Sequence, residues 1–286
     1  MASILVEQAG SNIASPVVDR ESGNIFYVGQ GSGEVCVVTE AEDGAGPEAT
    51  VWGQSRGMPS GVAVDPSGDI YVADLAHCAI VNVSPEQDGE ARVVVRVYEE
   101  RPFKGPNSLV FDAEGTMYFT DSGPMGETGL ANPTGSVFCI TQGPGGQMLK
   151  PLALNCLAHP SGLALNGADG GRSLFVCETM ANRLLRFFQQ PTGVFHFSVF
   201  KQFAGGVGPS CVAVDSRGVI FVGHYDVVGS AAGSGGRITV LSPEGNIDVE
   251  LQVPGPQITG ICLSADEQEL FVTESTTDAI FRVAVP

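Results

Sequence analysis

Positive charge is scarce in this chain. Lysine and arginine number 14 against 32 aspartate and glutamate, a formal net charge of −18. Such a surface repels phosphate backbones, and no basic stripe interrupts it, so nucleic acid is not an expected partner. Long apolar runs are also missing. None reaches the roughly 20 residues that cross a bilayer as a helix, so no membrane partner is expected. The opening MASILVEQAG has no basic region and carries Glu7 within its apolar stretch, which argues against a signal peptide. CxxC pairs are absent and the seven cysteines make an odd count. Cys36, Cys139, Cys177, Cys211 and Cys262 fall inside apolar strand-like runs, where a free cysteine acts as a small hydrophobe. Neither zinc spacing nor a histidine-partnered thiol is visible, and a reduced, cytoplasmic protein is expected.

What the chain does have is a repeat. The unit is clearest in Gly105 to Ser122, GPNSLVFDAEGTMYFTDS. A short strand, an Asp-x-x-Gly turn and a second strand follow one another. The same unit recurs as ASPVVDRESGNIFYVG, SGVAVDPSGDIYVAD, SGLALNGADGGRSLFVCE, SCVAVDSRGVIFVG and TGICLSADEQELFVTE. Its turn anchors are Asp19, Asp65, Asp112, Asn166, Asp215 and Ser264, spaced 46, 47, 54, 49 and 49 residues apart. That is close to the ~40–50 residue period of four-stranded propeller blades. The turn has a mechanism. The Asp side chain accepts backbone N–H bonds at the start of a type I turn, and the Gly closes the hairpin in a left-handed conformation.

Two more strand-like runs follow each hairpin, as in Ala79 to Val83 with Ala91 to Tyr98, and Arg183 to Phe188 with Val194 to Lys201. The sixth unit stops one strand short, and Ser3 to Gln8 is a strand to spare at the N-terminus. Pairing the two closes the ring without an exposed edge. The expectation is an all-β, single six-bladed β-propeller over residues 1–286, four antiparallel strands per blade. The Gly-rich stretches 43–47, 123–135 and 229–236 are expected to be blade loops.

In such a blade the loop entering the first strand and the loop leaving the second open on one face. Two rings of residues are therefore expected around one mouth of the central channel. The first is Ala14, Ser60, Asn107, Ser161, Ser210 and Thr259. The second is Asp74, Asp121 with Ser122, Glu178 with Thr179, His224 with Asp226, and Glu274 with Ser275. Carboxylates, one amide and several hydroxyls could take a small molecule or a cation, and equally describe a solvated channel mouth. His224 close to Asp226 is a candidate general base. His77, His159 and His196 read as structural or surface residues.

The run PNSLVFDAEGTMYFTDS resembles the senescence marker protein/gluconolactonase family, and HPSGLAL…SLFVCETMANRLLRF resembles the related strictosidine synthase-like branch. The first resemblance implies a divalent ion in the channel, held by a Glu of the first blade, an Asn of the third, an Asn of the fourth and an Asp of the fifth. Here those positions are Ala14, Asn107, Ser161 and Ser210. One ligand of four remains and both carboxylates are gone, so no metal and no other cofactor is expected. The second resemblance implies a metal-free site with a glutamate acid/base, for which Glu178 and Glu274 are the candidates.

The leading expectation is a gluconolactonase-like propeller with a degenerate metal site, acting as a non-catalytic binding or scaffolding module with protein partners. The alternative is a hydrolase of lactones, esters or phosphotriesters. Its catalytic candidates are Asp121, Glu178 and His224, and its ligand-binding candidates are Asn107, Ser161, Ser210 and Asp226.

Overall fold

The computed structural model describes residues 2–40, 46–83, 91–143, 146–227 and 235–286. Parts of the expected loops 43–47 and 229–236 lie outside them. The N-terminal strand is β1 (Ser3–Val6). Blade one holds β2 (Ile13–Val18), β3 (Ile25–Gly29), β4 (Glu34–Glu40) and β5 (Pro47–Gln54). Blade two holds β6 (Pro59–Val64), β7 (Ile70–Asp74), β8 (Ala79–Asn82) and β9 (Arg92–Val95). A small hairpin, β10 (Val97–Tyr98) and β11 (Arg101–Pro102), leads to blade three. That blade comprises β12 (Pro106–Phe111), β13 (Met117–Asp121), β14 (Gly135–Gly143) and β15 (Gly146–Leu157). Blade four is β16 (Pro160–Leu165), β17 (Ser173–Glu178), β18 (Arg183–Gln189) and β19 (Phe195–Gln202). Blade five is β20 (Gly208–Val214), β21 (Ile220–Tyr225), β22 (Gly236–Leu241) and β23 (Ile247–Val253). Blade six is β24 (Ile258–Leu263), β25 (Glu269–Glu274) and β26 (Ala279–Ala284).

Each blade is an antiparallel sheet in sequence order, except the last, which runs β1-β26-β25-β24. The N-terminal strand thus supplies the fourth strand of blade six, with Ser3 opposite Arg282 and Ile4 opposite Phe281. The innermost strands β2, β6, β12, β16, β20 and β24 pack each on the next, and β24 packs on β2, so the ring is closed. Among the described residues the only helices are single 3-10 turns at Gly167–Asp169 and Thr179–Ala181.

The turns form by the expected chemistry. Asp112 Oδ1 accepts from Glu114 N–H at 3.1 Å and Thr116 N–H at 2.7 Å, and Asp215 Oδ1 accepts likewise from Arg217 and Val219. Gly115 and Gly218 take φ of 80° and 86°, which a side chain would strain.

The core consists of six apolar clusters, each lying in the seam between two neighbouring blades. Period-2 alternation explains this, since both faces of every sheet meet a neighbouring blade. Val28, Val35, Val62 and Val72 meet between blades one and two, and Phe119, Phe138 and Phe103 between blades two and three. Each such side chain contributes about 1.5–3 kcal/mol by burial. Near the axis the backbones approach more closely still. A Cβ on Gly162 would lie 2.5 Å from Cys211 Cα, one on Gly61 2.7 Å from the Asn107 carbonyl oxygen, and one on Gly260 2.5 Å from Ser15 N. Gly162→Ala is expected to cost about 2–3 kcal/mol through overpacking against backbone, read as a lowered urea midpoint.

Deleting residues 2–6 removes Val6 from its seam and bares the β26 edge. The expected loss is about 2–4 kcal/mol, with edge-driven aggregation visible by light scattering.

Candidate functional site

Both rings come together at one end of the channel, as hydrogen bonds between the two kinds of loop show. Leu75 N–H donates to the Met58 carbonyl, Thr179 N–H to the His159 carbonyl, and Ser275 N–H to the Gln257 carbonyl. The local chemistry of the rings differs from a solvated mouth in two ways.

The second-strand acids are buried clamps. Asp74 Oδ1 accepts from Met58 N–H at 3.1 Å and His77 N–H at 2.9 Å. Asp121 accepts from Lys104 N–H at 3.1 Å and Gly105 N–H at 2.9 Å. Glu178 Oε1 accepts from Ala158 N–H at 2.7 Å while Oε2 meets Arg183 Nε at 2.6 Å. Glu274 receives the N–H groups of Gln257, Thr276 and Thr277 at 2.8–3.0 Å, and the hydroxyls of Thr276 and Thr277 as well. In each case the carboxylate ties the end of the second strand to the loop entering the first. These groups are almost fully enclosed, not solvated strand ends. Burial pushes the Asp121 carboxyl above its ordinary range, against the pull of the Lys104 and Gly105 amides.

The hydroxyls are clasps between blades. Ser60 Oγ donates to the Pro106 carbonyl at 2.9 Å, Thr120 Oγ1 to Ser161 at 2.8 Å, Ser210 Oγ to Ile258 at 2.6 Å and Thr259 Oγ1 to Ile13 at 2.6 Å. Ser15 Oγ accepts from Val62 N–H at 3.1 Å. Ser161 Oγ pairs with Thr179 Oγ1 at 2.7 Å within blade four.

His224 is buried with both ring nitrogens engaged. Nε2 lies 3.0 Å from Thr239 Oγ1 and Nδ1 lies 3.3 Å from Arg237 Nη2. Because Arg237 only donates, Nδ1 is the acceptor and Nε2 carries the proton. Burial first, then the Arg237 charge, lower its pKa to about 3. Asp226 is half-buried, its N–H on the Pro256 carbonyl at 3.0 Å.

Asn107 differs from the other ring residues. It is half-buried, and no described residue bonds to its carboxamide. Two histidines read as structural or surface residues are also placed distinctively. His77 is half-exposed with Nδ1 3.2 Å from the buried Asp74 carboxylate. His159 is enclosed, with Nδ1 lacking a hydrogen-bond partner among the described residues.

Ala14, Asn107, Ser161 and Ser210 offer a methyl group, one free amide and two hydroxyls already in use. No group of three or more His, Cys, Asp and Glu able to hold a metal exists among the described residues. A hard divalent cation needs six to eight oxygen donors, several of them charged, and this set does not fit one.

A cleft of about 440 Å³ opens elsewhere, at the hairpin-turn end of blades three and four, lined by Asp112, Glu114, Tyr118, Lys150 and Phe195. Asp112 there is the turn cap already described.

Fold and rings together define a closed six-bladed propeller, with the Asn107 amide at the channel mouth unpartnered among the described residues. Residues 14–276 match the family described as "SMP-30/Gluconolactonase/LRE-like region", and the chain belongs to that family. It is 28% identical over 239 residues to a gluconolactonase of Zymomonas mobilis, covering 76% of this chain and 60% of that one. It is 29% identical over 153 residues to lactonase drp35 of Staphylococcus aureus, covering 52% of this chain and 42% of that one. The matches thus span less than two thirds of either relative's length. Among solved structures, a gluconolactonase from Xanthomonas campestris superposes with a TM-score of 0.78 at 21% identity, covering 100% of this chain and 89% of that one. A calcium-binding protein, regucalcin, from Agrobacterium tumefaciens gives 0.78 at 19% identity, covering 100% and 94%. At these identities the superpositions establish the fold.

Proposed function

We propose that the chain is a hydrolase of lactones or related esters, acting at the channel mouth around Asn107 without the divalent ion implied for the family. The observation that carries the reading is the free carboxamide of Asn107, within a family whose curated relatives include lactonases. The reaction is addition of water to the carbonyl carbon, cleavage of the ring C–O bond and release of a hydroxy acid. The Asn107 N–H groups donate to the carbonyl oxygen as it gains charge, which lowers the barrier. Asp121 and Glu178 serve this site as positioning groups, since their oxygens are committed to the loops that carry Asn107 and Ser161.

The test is a panel of lactones and aryl esters, assayed with chelator and with added Ca²⁺. Turnover unaffected by chelator is expected, with Asn107→Ala lowering kcat by about 10²-fold or more. Turnover no higher than that of Asn107→Ala would remove the reading. Turnover abolished by chelator would remove its metal-free part. The saturation of the ring hydroxyls by neighbouring backbone favours a second reading, a binding or scaffolding module. It predicts ligand or protein binding at the mouth with no turnover.

A further inference from the structure

Charge is distributed unevenly around the ring. Residues 128–214 hold five basic residues against two acids, a net charge of +3, whereas the rest of the chain holds nine against 30, a net of −21. This stretch supplies β14 and β15 of blade three, the whole of blade four and the innermost strand of blade five. Its two acids are both held by arginines of blade four: Glu178 meets Arg183 at 2.6 Å and Asp169 meets Arg186 at 3.6 Å. Two copies of a chain of net charge −18 repel each other. Physiological salt confines that repulsion to about 8 Å, so the charge that faces the neighbour decides where two copies can touch. Blade four is the one blade without net negative charge.

The outermost strand of that blade is also the least protected. An exposed strand edge is a template for pairing, and natural sheets blunt it with short strands, proline or charge. The other five outer strands do so. β1 and β9 have four residues each, β5 opens on Pro47 and Glu48, β15 carries Lys150 and Pro151, and β23 carries Asp248 and Glu250. β19 reads FHFSVFKQ, eight residues without proline or acid. Its one fixed charge, Lys201, is turned toward blade five, where Nζ donates to the Gly245 carbonyl at 3.0 Å. Phe197 and Val199 are exposed, and alternation puts them on the same face as Phe195, which packs in the seam with blade three. Phe197 stacks on Phe187 at 4.7 Å, which holds its ring in place. We propose that β19 is where a second copy of this chain docks, the two β19 strands pairing antiparallel about a two-fold axis so that two blades join into one eight-stranded sheet. Such a contact closes at two copies. With the axis at Ser198, Phe197 of one protomer faces Val199 of the partner subunit and the reverse, an aromatic and β-branched pair at both places. Lys201 then faces Phe195 of the partner subunit, so no like charges meet. Blade strands run between the mouth and the hairpin-turn end, so antiparallel pairing turns the two mouths in opposite directions and leaves both open. The dimer is independent of any chemistry at the mouth.

Analytical ultracentrifugation of the full chain over a range of concentrations is the test. The expected result is a reversible monomer–dimer equilibrium with a micromolar Kd, the weak end for protein interfaces. Added salt is expected to tighten it, because the repulsion between the acidic sectors is screened. Val199→Lys puts a charge on the exposed stripe and removes both aromatic pairs, and is expected to weaken dimerisation about tenfold. Its melting temperature at high dilution, where the native chain is monomeric, is expected to be unchanged. Ser198→Cys sets the new thiol beside its own copy at the axis. Mild oxidation is expected to give a covalent dimer that the native chain, with its exposed Cys156, does not form. The dimer is overturned by a native chain that stays monomeric at millimolar concentration, by species larger than two copies, by dimerisation that Val199→Lys leaves unchanged, or by a Ser198→Cys chain that cross-links no more than the native one. A native chain that stays monomeric and binds a polyglutamate peptide, with the binding lost in Val199→Lys, would give the edge to an acidic partner and overturn it as well.

Discussion

Acidification from pH 6.5 to 4.5 is expected to destabilise the fold by about 4 kcal/mol, because two histidines are buried in neutral form. Burial lowers the His159 pKa to about 4, and burial with the Arg237 charge lowers that of His224 to about 3. An unfolded histidine titrates near 6.5, so below that pH the unfolded chain takes up protons that the folded chain refuses. The contribution of each group is therefore complete above pH 6.5. It is lost at about 1.4 kcal/mol per pH unit as the pH falls toward the folded value. Asp121 works in the opposite direction. Its raised pKa means that the folded carboxyl takes a proton before the unfolded one, which offsets part of the loss. Urea midpoints at pH 7, 6, 5 and 4.5 measure the effect. A flat midpoint between pH 6.5 and 5 would contradict the burial of both imidazoles, and His159→Phe is expected to halve the slope.

Glu274→Ala is expected to cost about 3–5 kcal/mol, because three backbone N–H groups lose their acceptor at about 1–3 kcal/mol each where water does not replace it. The carboxylate is fully buried and takes the N–H groups of Gln257, Thr276 and Thr277 together. Alanine leaves these donors without acceptors, in the loop entering β24 and at the turn that leads into β26, and so loosens the blade that closes the ring. Glu274→Gln keeps the acceptor oxygen and is expected to recover part of the loss. Thermal unfolding of the two variants is the measurement. A drop of less than about 1 kcal/mol for the alanine variant would mean that water replaces the carboxylate, and that Glu274 is not a clamp.

These effects rest on contacts that the repeat hides. Aligned on Asp19, Asp65, Asp112, Asn166, Asp215 and Ser264, the six copies disclose strands, turns and blade number, because Asp-x-x-Gly turns and period-2 alternation are local rules. The long interval between Asp112 and Asn166 is also local in origin, since the loop after β13 and the strands β14 and β15 are both extended there. The candidate site was legible as positions only. Ser60, Ser210 and Thr259 look like free hydroxyls in the sequence, yet each is turned onto the backbone of the next blade. Asp121 and Glu178 look like mouth acids, yet each is spent on an entering loop.

The sequence by itself thus determined the blade, its count, the closure by the N-terminal strand, and which ring positions carry no carboxylate. Only the tertiary structure decided which polar groups are already satisfied. Hydrogen bonds such as Thr259 to Ile13 join residues far apart in the chain, and no local pattern records them. Asn107 and His159 are set apart from their neighbours by the same three-dimensional accounting, as uncharged polar groups for which the ring provides no described partner.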